Sequence, residues 1–144
     1  MVDVSTKDAT RRSAHASCAV VTNAGSSSFV TSDGTDIIHA ARLAGILAAK
    51  QTAALIPLCH PLNLDDIQVD VTKSATGLDV ESTVVATQHT GVEMEALTAC
   101  AVTALSLVTS LLEHDRGARM DDLVLLRKTG GRSGDWGRSV AEPH

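Results

Sequence analysis

Aromatic side chains are almost absent from this chain of 144 residues, which has one Phe, one Trp and no Tyr. Val, Leu, Ile and Ala must therefore supply the volume of the core. Each of these side chains buries little apolar area, so we expect part of the stabilising burial to lie between subunits and predict an oligomer. The length suits a single domain with its own core, over residues 1–144.

An excess of basic residues is also missing, and the net charge is −5. Proteins that bind nucleic acid usually carry a basic surface, so we expect no nucleic acid as a partner. A negative net charge does not exclude a small anionic ligand, because a binding site for an anion needs only a local cluster of cations.

Cysteine is scarce, and its spacing follows no pattern. Cys18, Cys59 and Cys100 stand far apart in apolar runs, without a CxxC motif or a His/Cys pairing at zinc spacing. This spacing argues against structural zinc, and we expect neither a metal nor a cofactor. Free buried thiols fit a reducing compartment. We identify no signal peptide and no apolar run of membrane-spanning length, so we predict a cytoplasmic protein that does not bind a membrane.

Alternation of apolar and polar residues predicts several strands, because a strand that buries one face repeats every two residues. The predicted strands are residues 14–22, a short one near Phe29-Val30, 67–72, 78–87 and Leu123 to Leu126. A Ser-Ala-Thr-Gly turn separates the third of these from the fourth. We expect these two strands to form an antiparallel hairpin.

Two long segments carry apolar residues on most of their faces, as buried helices do. We predict helices at about 36–54 and 91–114. Residues 1–13 form a polar arm, either mobile or laid over a site, and residues 129–144 form a glycine-rich basic tail. Strands mixed with two long helices, and at least one hairpin, indicate an α+β fold.

Two carboxylates, Glu93 and Glu95, fall in the first turn of the second predicted helix, among apolar neighbours. Desolvation raises the pKa of a carboxylate, so both are candidate acids, bases or ligand contacts. Thr90 and Glu93 also have the spacing of a capping box, in which both side chains satisfy N–H groups at the helix start. The local sequence leaves both interpretations of Glu93 open.

Three further points can carry chemistry. His60 precedes Pro61 in a rigid loop, where it is either an acid or base near neutral pH or a packed loop histidine. Lys128 and Arg132 accompany a glycine-rich turn whose N–H groups suit an anion, although a flexible C-terminus has the same composition. An arginine such as Arg12, considered by itself, is most often a solvated surface residue.

Taken together, these points and the sequence around them resemble the cyclic pyranopterin monophosphate synthase (MoaC) family of molybdenum cofactor biosynthesis. The strings Leu-Cys-His-Pro and Gly-Val-Glu-Met-Glu-Ala-Leu, in this order, are highly specific. The resemblance covers nearly the whole chain. The segments that carry it are Met1 to Ser5, Ala41 to Ile46, Ala48 to Lys50, Ile56 to Pro61, Gly91 to Thr98 and Lys128 to Gly134.

The resemblance implies a ferredoxin-like antiparallel sheet packed against two long helices, in a homohexamer built as a trimer of dimers with sites at the dimer interfaces. It also implies a lyase that converts cyclic dehydro-GTP, a GTP-derived cyclic nucleotide triphosphate, to cyclic pyranopterin monophosphate with release of pyrophosphate. By this resemblance Arg12 and Lys128 bind the triphosphate. His60, Glu93 and Glu95 are the catalytic acids and bases.

The chain departs from its family at three catalytic positions. The family has Lys where this chain has Gly34, and Asp and Lys where it has Thr109 and Leu112. Thr cannot perform a carboxylate's proton transfer near neutral pH, and Leu carries no proton to transfer. Glu113 and Arg116 repeat the lost spacing one turn further, if the helix continues that far. The alternative to a working synthase is a catalytically impaired paralogue that acts as a binding or assembly partner.

Overall fold

The computed structural model describes residues 1–29 and 36–139. In this part of the chain, five strands form one antiparallel sheet in the order β2-β3-β1-β4-β5. The elements are β1 (Thr10–Val21), a 3-10 helix (Ser26–Phe29), α1 (Ile37–Lys50), α2 (Thr52–Leu55), β2 (Asp66–Ser74), β3 (Gly77–Gln88), α3 (Glu93–Leu111), β4 (Arg119–Thr129) and β5 (Trp136–Gly137).

The connectivity is that of ferredoxin-like folds. With α1 and α3 as the two long helices, β1 to β4 follow the order β-α-β-β-α-β along the chain. The predicted α+β class, the predicted hairpin of β2 with β3, and the two long helices are therefore confirmed.

One face of the sheet is apolar and carries both long helices. α3 lies over β1, β3 and β4, and α1 packs beside α3 and against β2. Alternate residues of the central strands point into this layer, so the core is aliphatic as the composition requires. Its buried side chains on β1 and β3 include Ala14, Ala16, Cys18, Val20, Leu78, Val80 and Val84.

Small residues let α1 and α3 approach closely. A Cβ at Gly45 would lie 2.8 Å from the carbonyl oxygen of Ala99 and would collide with Thr103. The buried Thr103 hydroxyl donates to the same Ala99 carbonyl across 2.8 Å, so its hydrogen-bonding capacity is satisfied inside the core. A larger side chain at Gly45 would push the two helices apart.

By length and composition alone, α3 could cross a membrane. The prediction that no apolar run of spanning length occurs is therefore wrong for this helix. Half of its apolar window is buried, however, because the helix packs on the sheet and beside α1. This is the environment of a core helix, and such helices commonly meet the same criteria.

Several predicted boundaries are wrong, because pairing between distant segments extends or stops the elements. Phe29 ends a 3-10 helix and is not in a strand, and Val30 lies outside the described residues. The predicted helix 36–54 is interrupted at Gln51, which caps α1. Residues 10–13 of the predicted arm belong to β1 because they pair with β3. The short strand predicted at 123–126 is part of the longer β4, and β5 follows it.

The helix predicted at 91–114 begins at Glu93 and ends at Leu111. Its N-cap residue is Val92, and no side chain caps the helix start. The capping-box interpretation of Thr90 and Glu93 is therefore wrong, because Glu93 is the first residue of the helix and not the third after a Thr cap.

Candidate active site

Two cations converge at one end of the central strands. Lys128 of β4 lies opposite Ala14 of β1, and Arg12 precedes Ala14 by two residues. Opposite residues in a ladder share a face, and so do residues two apart on one strand. Both side chains therefore project from the helix-covered face, where they line one cavity with Glu93 at the start of α3.

We call this space the cation cavity, and its volume is about 530 Å³. That volume lies in the range of small-molecule binding sites. Cations outnumber carboxylates around it, which favours a polyanionic ligand. Among the described residues, the charged side chains that line it are Lys7, Arg12, Lys128 and Arg132, with Asp8 and Glu93.

Backbone and side-chain acceptors hold the two central cations in place. Arg12 Nε donates to the Gln88 carbonyl across 2.9 Å, and Nη2 donates to the His89 carbonyl across 3.3 Å. Lys128 Nζ donates to the Ser133 hydroxyl. Side chains ordered before a ligand arrives lose less entropy on binding, so these bonds favour affinity.

The glycine-rich turn after β4 is hydrogen-bonded within itself. The Gly130 N–H donates to Asp135 Oδ1 across 3.0 Å, and the Gly134 N–H donates to the Gly131 carbonyl across 3.1 Å. Gly130, Gly131 and Gly134 all have positive φ, between 67° and 83°. Glycine adopts this left-handed conformation without a steric penalty, so the residue type lets the turn close beside the cavity.

A second space, the carboxylate cavity, adjoins the first and has a volume of about 170 Å³. His60, Glu93, Glu95 and Cys59 line it, and Glu93 lines both cavities. A further space of about 230 Å³ continues past His60 and Glu95 to Lys50. A ligand that fills both cavities would therefore contact cations at one end and His60 with the carboxylates at the other.

The five residues predicted as site residues thus line two neighbouring cavities of one chain that share Glu93 in their walls. The cation cavity contains Arg12 and Lys128, the carboxylate cavity contains His60 and Glu95, and Glu93 stands between them.

The position of Glu93 depends on its neighbour Gly91. A Cβ at Gly91 would fall within 3.0 Å of all three atoms of the Glu93 carboxylate group. The Glu93 side chain therefore folds back over Gly91, into space that any other residue would occupy. This places the carboxylate at the boundary of the two cavities.

Glu95 is 4 % exposed. Burial raises its pKa, a hydrogen bond from its own backbone opposes the shift, and the charge of Glu93 raises the pKa further. A carboxyl group with a raised pKa is suited to exchange protons closer to neutral pH.

Burial and the charge of Glu95 also raise the pKa of the Cys59 thiol, which keeps it protonated and poorly nucleophilic. Within the described residues, no three His, Cys, Asp or Glu side chains are grouped to hold a metal ion.

Two of the three positions predicted to depart from the family pattern, Thr109 and Leu112, lie at the other end of α3. Thr109 is exposed, and its hydroxyl donates to the Leu105 carbonyl of its own helix across 2.9 Å. Leu112 is the C-cap residue. At 1.5 Å per residue, Thr109 is about 24 Å from Glu93 along the helix. Within one chain these two positions cannot contact the same small ligand.

The sequence left open a replacement by Glu113 and Arg116 on the condition that the helix continues to them, and this condition is not met. α3 ends at Leu111, and the chain turns immediately afterwards. Glu113 and Arg116 therefore do not continue the helical face of Thr109. Gly34, the third predicted departure, lies outside the described residues.

The sequence interpretation missed Lys7 as a site residue and named Arg132 only as nearby charge. Residues before β1 pass over the cation cavity, where the His89 ring nitrogen Nδ1 lies 2.5 Å from the Lys7 carbonyl oxygen. Arg132 Nη2 donates to the Thr6 carbonyl across 3.5 Å. The grouping of basic residues in the arm was the available signal, but nothing local indicates where the arm lies.

Comparisons with known proteins identify the family of this chain. Residues 1–131 match the model of the MoaC family. A cyclic pyranopterin monophosphate synthase of Parvibaculum lavamentivorans is 48% identical over 141 residues, which cover 94% of this chain and 88% of that protein. One of Streptomyces avermitilis is 44% identical over 142 residues, covering 96% and 84%. A cyclic pyranopterin monophosphate synthase 2 of Mycobacterium tuberculosis is 44% identical over 141 residues, also covering 96% and 84%. The resemblance noted in the sequence is therefore confirmed, and this chain belongs to the MoaC family.

Proposed function

We propose that this protein works in molybdenum cofactor biosynthesis and converts cyclic dehydro-GTP to cyclic pyranopterin monophosphate with release of pyrophosphate. The observation that carries the proposal is the cation cavity joined, through Glu93, to a cavity that contains His60 and Glu95. Relatives named as cyclic pyranopterin monophosphate synthases, 44% to 48% identical, support it.

The cation cavity suits the triphosphate of this substrate. Arg12 presents a planar guanidinium and Lys128 a point charge, and both pair well with phosphate oxygens. Closing the cyclic phosphate requires a substrate hydroxyl to attack the α-phosphorus while the bond to pyrophosphate breaks. Cations that already face the triphosphate stabilise the charge that develops on the departing pyrophosphate.

The carboxylate cavity suits the proton transfers of the ring rearrangement. Glu95 has a raised pKa because it is buried, so it can hold a proton that an exposed carboxylate would lose. His60 lies in the same cavity and can act as the complementary acid or base. Glu93, between the two cavities, can also accept hydrogen bonds from the guanine-derived ring.

The proposed assembly is a cytoplasmic homo-oligomer, a hexamer built as a trimer of dimers. Leu43 and Leu47 on α1 and Leu105 on α3 are 51%, 63% and 55% exposed. Exposed large apolar side chains on neighbouring helices are typical of surfaces that a partner covers. A second copy would also be needed for any site that uses both ends of α3, given their separation of about 24 Å.

The side chains of Thr109 and Leu112 favour a second candidate function. Neither side chain can transfer a proton as the family's Asp and Lys do, and α3 stops before Glu113. The protein would then be a catalytically impaired MoaC-like paralogue that binds ligand or a partner without turnover.

One assay separates the two functions. Purified protein is given cyclic dehydro-GTP, and pyrophosphate and cyclic pyranopterin monophosphate are measured. Release of both products supports the synthase. If a folded oligomer binds inorganic tripolyphosphate but forms neither product, the synthase proposal is overturned in favour of the impaired paralogue.

A restoration experiment tests whether the departures limit the rate. We expect the triple change Gly34→Lys, Thr109→Asp and Leu112→Lys to raise turnover by about a hundredfold, the low end of what acid–base catalysis contributes. The matched control, Gly34→Met, Thr109→Asn and Leu112→Met, alters size without adding proton-transferring groups. If the restored variant folds and gains no more than the control, these positions are not what limits turnover.

A further inference from the structure

Gly131 lies directly against the guanidinium of Arg12. A Cβ at Gly131 would collide with Arg12 Nη1 and would lie 3.1 Å from Cζ and 3.5 Å from Nη2. All three atoms belong to the same planar group, so the guanidinium occupies the space that a side chain at position 131 would fill. Both residues line the cation cavity.

The guanidinium has little freedom to move away. Its Nε and Nη2 are directed to the carbonyls of Gln88 and His89, across 2.9 Å and 3.3 Å. These two bonds hold one side of the planar group, and Gly131 adjoins Nη1, which neither bond uses. A methyl group at position 131 would therefore force Arg12 to give up at least one of its anchoring bonds.

We propose that Gly131 is a positioning residue for Arg12, and that it sets the affinity of the cation cavity for polyphosphates. The glycine acts through its missing side chain, which leaves room for the guanidinium beside the glycine-rich turn. The inference rests on the proposed function only for the ligand class, a triphosphate, and it does not depend on turnover.

The chain provides a matched control for backbone strain. Gly131 and Gly134 stand in the same turn with φ of 79° and 67°. A Cβ at Gly134 would have no heavy atom within 4 Å, whereas one at Gly131 meets Arg12. Ala at either position would have a positive φ that L-residues rarely adopt, so the two variants differ mainly in the collision.

The experiment measures binding of inorganic tripolyphosphate to the full chain by titration calorimetry. The variants are Gly131→Ala, Gly134→Ala, Arg12→Ala and the double variant Arg12→Ala/Gly131→Ala. We expect Gly131→Ala to weaken binding about tenfold, since charge-assisted hydrogen bonds are among the stronger ones. Gly134→Ala should melt at a similarly lowered temperature but keep its affinity. In the Arg12→Ala background, Gly131→Ala should cause no further loss of affinity.

Two results would overturn the inference. One is an equal loss of affinity in Gly134→Ala, and the other is the same additional loss from Gly131→Ala when Arg12 is absent. If Gly131→Ala does not fold, the double variant decides, because removing Arg12 removes the collision. Recovery of folding supports the positioning role, and an unfolded double variant contradicts it.

Failure of the proposed function gives a different pattern. Wild-type protein that binds tripolyphosphate but forms no product leaves the positioning role of Gly131 intact. Wild-type protein that binds no tripolyphosphate overturns both the ligand class and this inference.

Discussion

The two ends of α3 place carboxylates in opposite environments. At the amino end, burial raises the pKa of Glu95 beside the carboxylate cavity. Beyond the carboxyl end, the N–H groups of Asn23 and Gly117 and the hydroxyl of Thr22 donate to Asp115 and lower its pKa. The Asp115 carboxylate accepts hydrogen bonds that connect the segment after α3 to the end of β1. The Glu95 carboxyl group, in contrast, lines a cavity.

This difference extends to the residues around each end of α3. Groups suited to binding lie at the amino end, where Arg12 and Lys128 face Glu93 across the cation cavity. At the carboxyl end, Thr109 donates to its own helix and Leu112 is apolar. We therefore predict that ligand binding depends on the start of α3 and that the residues at its end serve the fold.

Removing the two central cations should have the largest effect on the amino end. Loss of Arg12 and Lys128 in an Arg12→Ala/Lys128→Ala variant removes two charge-assisted contacts of about 1.5–3 kcal/mol each. We expect tripolyphosphate affinity, measured by calorimetry, to fall on the order of a thousandfold.

Lys73→Ala, in combination with Arg116→Ala, controls for net charge. Lys73 pairs with Leu78, at the end of β3 opposite to Gln88, and Arg116 lies beyond α3. This control variant should retain its affinity. An equal loss in both double variants would show that overall charge, and not the cavity, binds the anion.

Displacing Glu93 should have an intermediate effect. Gly91→Ala puts a methyl group where the Glu93 carboxylate lies, so the side chain must rotate away from the boundary of the cavities. We expect affinity or turnover with cyclic dehydro-GTP to fall about tenfold, less than the hundredfold that a 1 Å misplacement of a reacting group can cause.

The matched substitution at the other end is Gly117→Ala, where a Cβ would lie 3.2 Å from Asp115 Oδ1. It should lower the melting temperature and leave ligand affinity unchanged. If Gly117→Ala lowers ligand affinity as much as Gly91→Ala does, the functional distinction between the two ends of α3 is contradicted.

The smallest effect concerns the pH dependence of stability, and its sign should differ between the two ends. The raised pKa of Glu95 means that the folded protein loses stability as pH rises from the ordinary value of 4.5 through the folded-state pKa. The Glu95→Gln variant has no carboxyl group to titrate and does not lose this stability. The melting temperature of the variant minus that of wild type should therefore increase as pH rises over the same range.

Asp115 should behave in the opposite way. The hydrogen bonds that lower its pKa stabilise the folded protein. This stabilisation is fully present above the ordinary pKa of 3.8 and is lost as pH falls through the folded-state pKa. Asp115→Asn should therefore melt below wild type at neutral pH, and the difference should shrink in acid. Thermal melts over a pH series check both variants, and shifts of the same sign would contradict the assignment.

Much of the fold could be predicted because its signals are local. Alternation over Ile67 to Val71 predicted β2, the following turn predicted the hairpin, and apolar residues on most faces predicted α1 and α3. Boundaries failed where distant contacts decide them, as at Thr10, which pairs with Gln88 of β3.

The candidate site was predictable in its residue types but not in its arrangement. The sequence indicated the carboxylates, His60 and the cations near the glycine-rich turn. It could not show that Glu93 folds over Gly91 instead of capping a helix, or that Lys7 joins the cation cavity.

By itself, the sequence determined the α+β class, the aliphatic core, the family and the set of charged groups that a site could use. These follow from periodicity, composition and short motifs, all of which are properties of residues close together along the chain. Only the tertiary structure decided that α3 stops at Leu111 and that two cavities meet at Glu93. The reason is that these features depend on contacts such as that of Thr22 with Asp115, which are 93 positions apart along the chain.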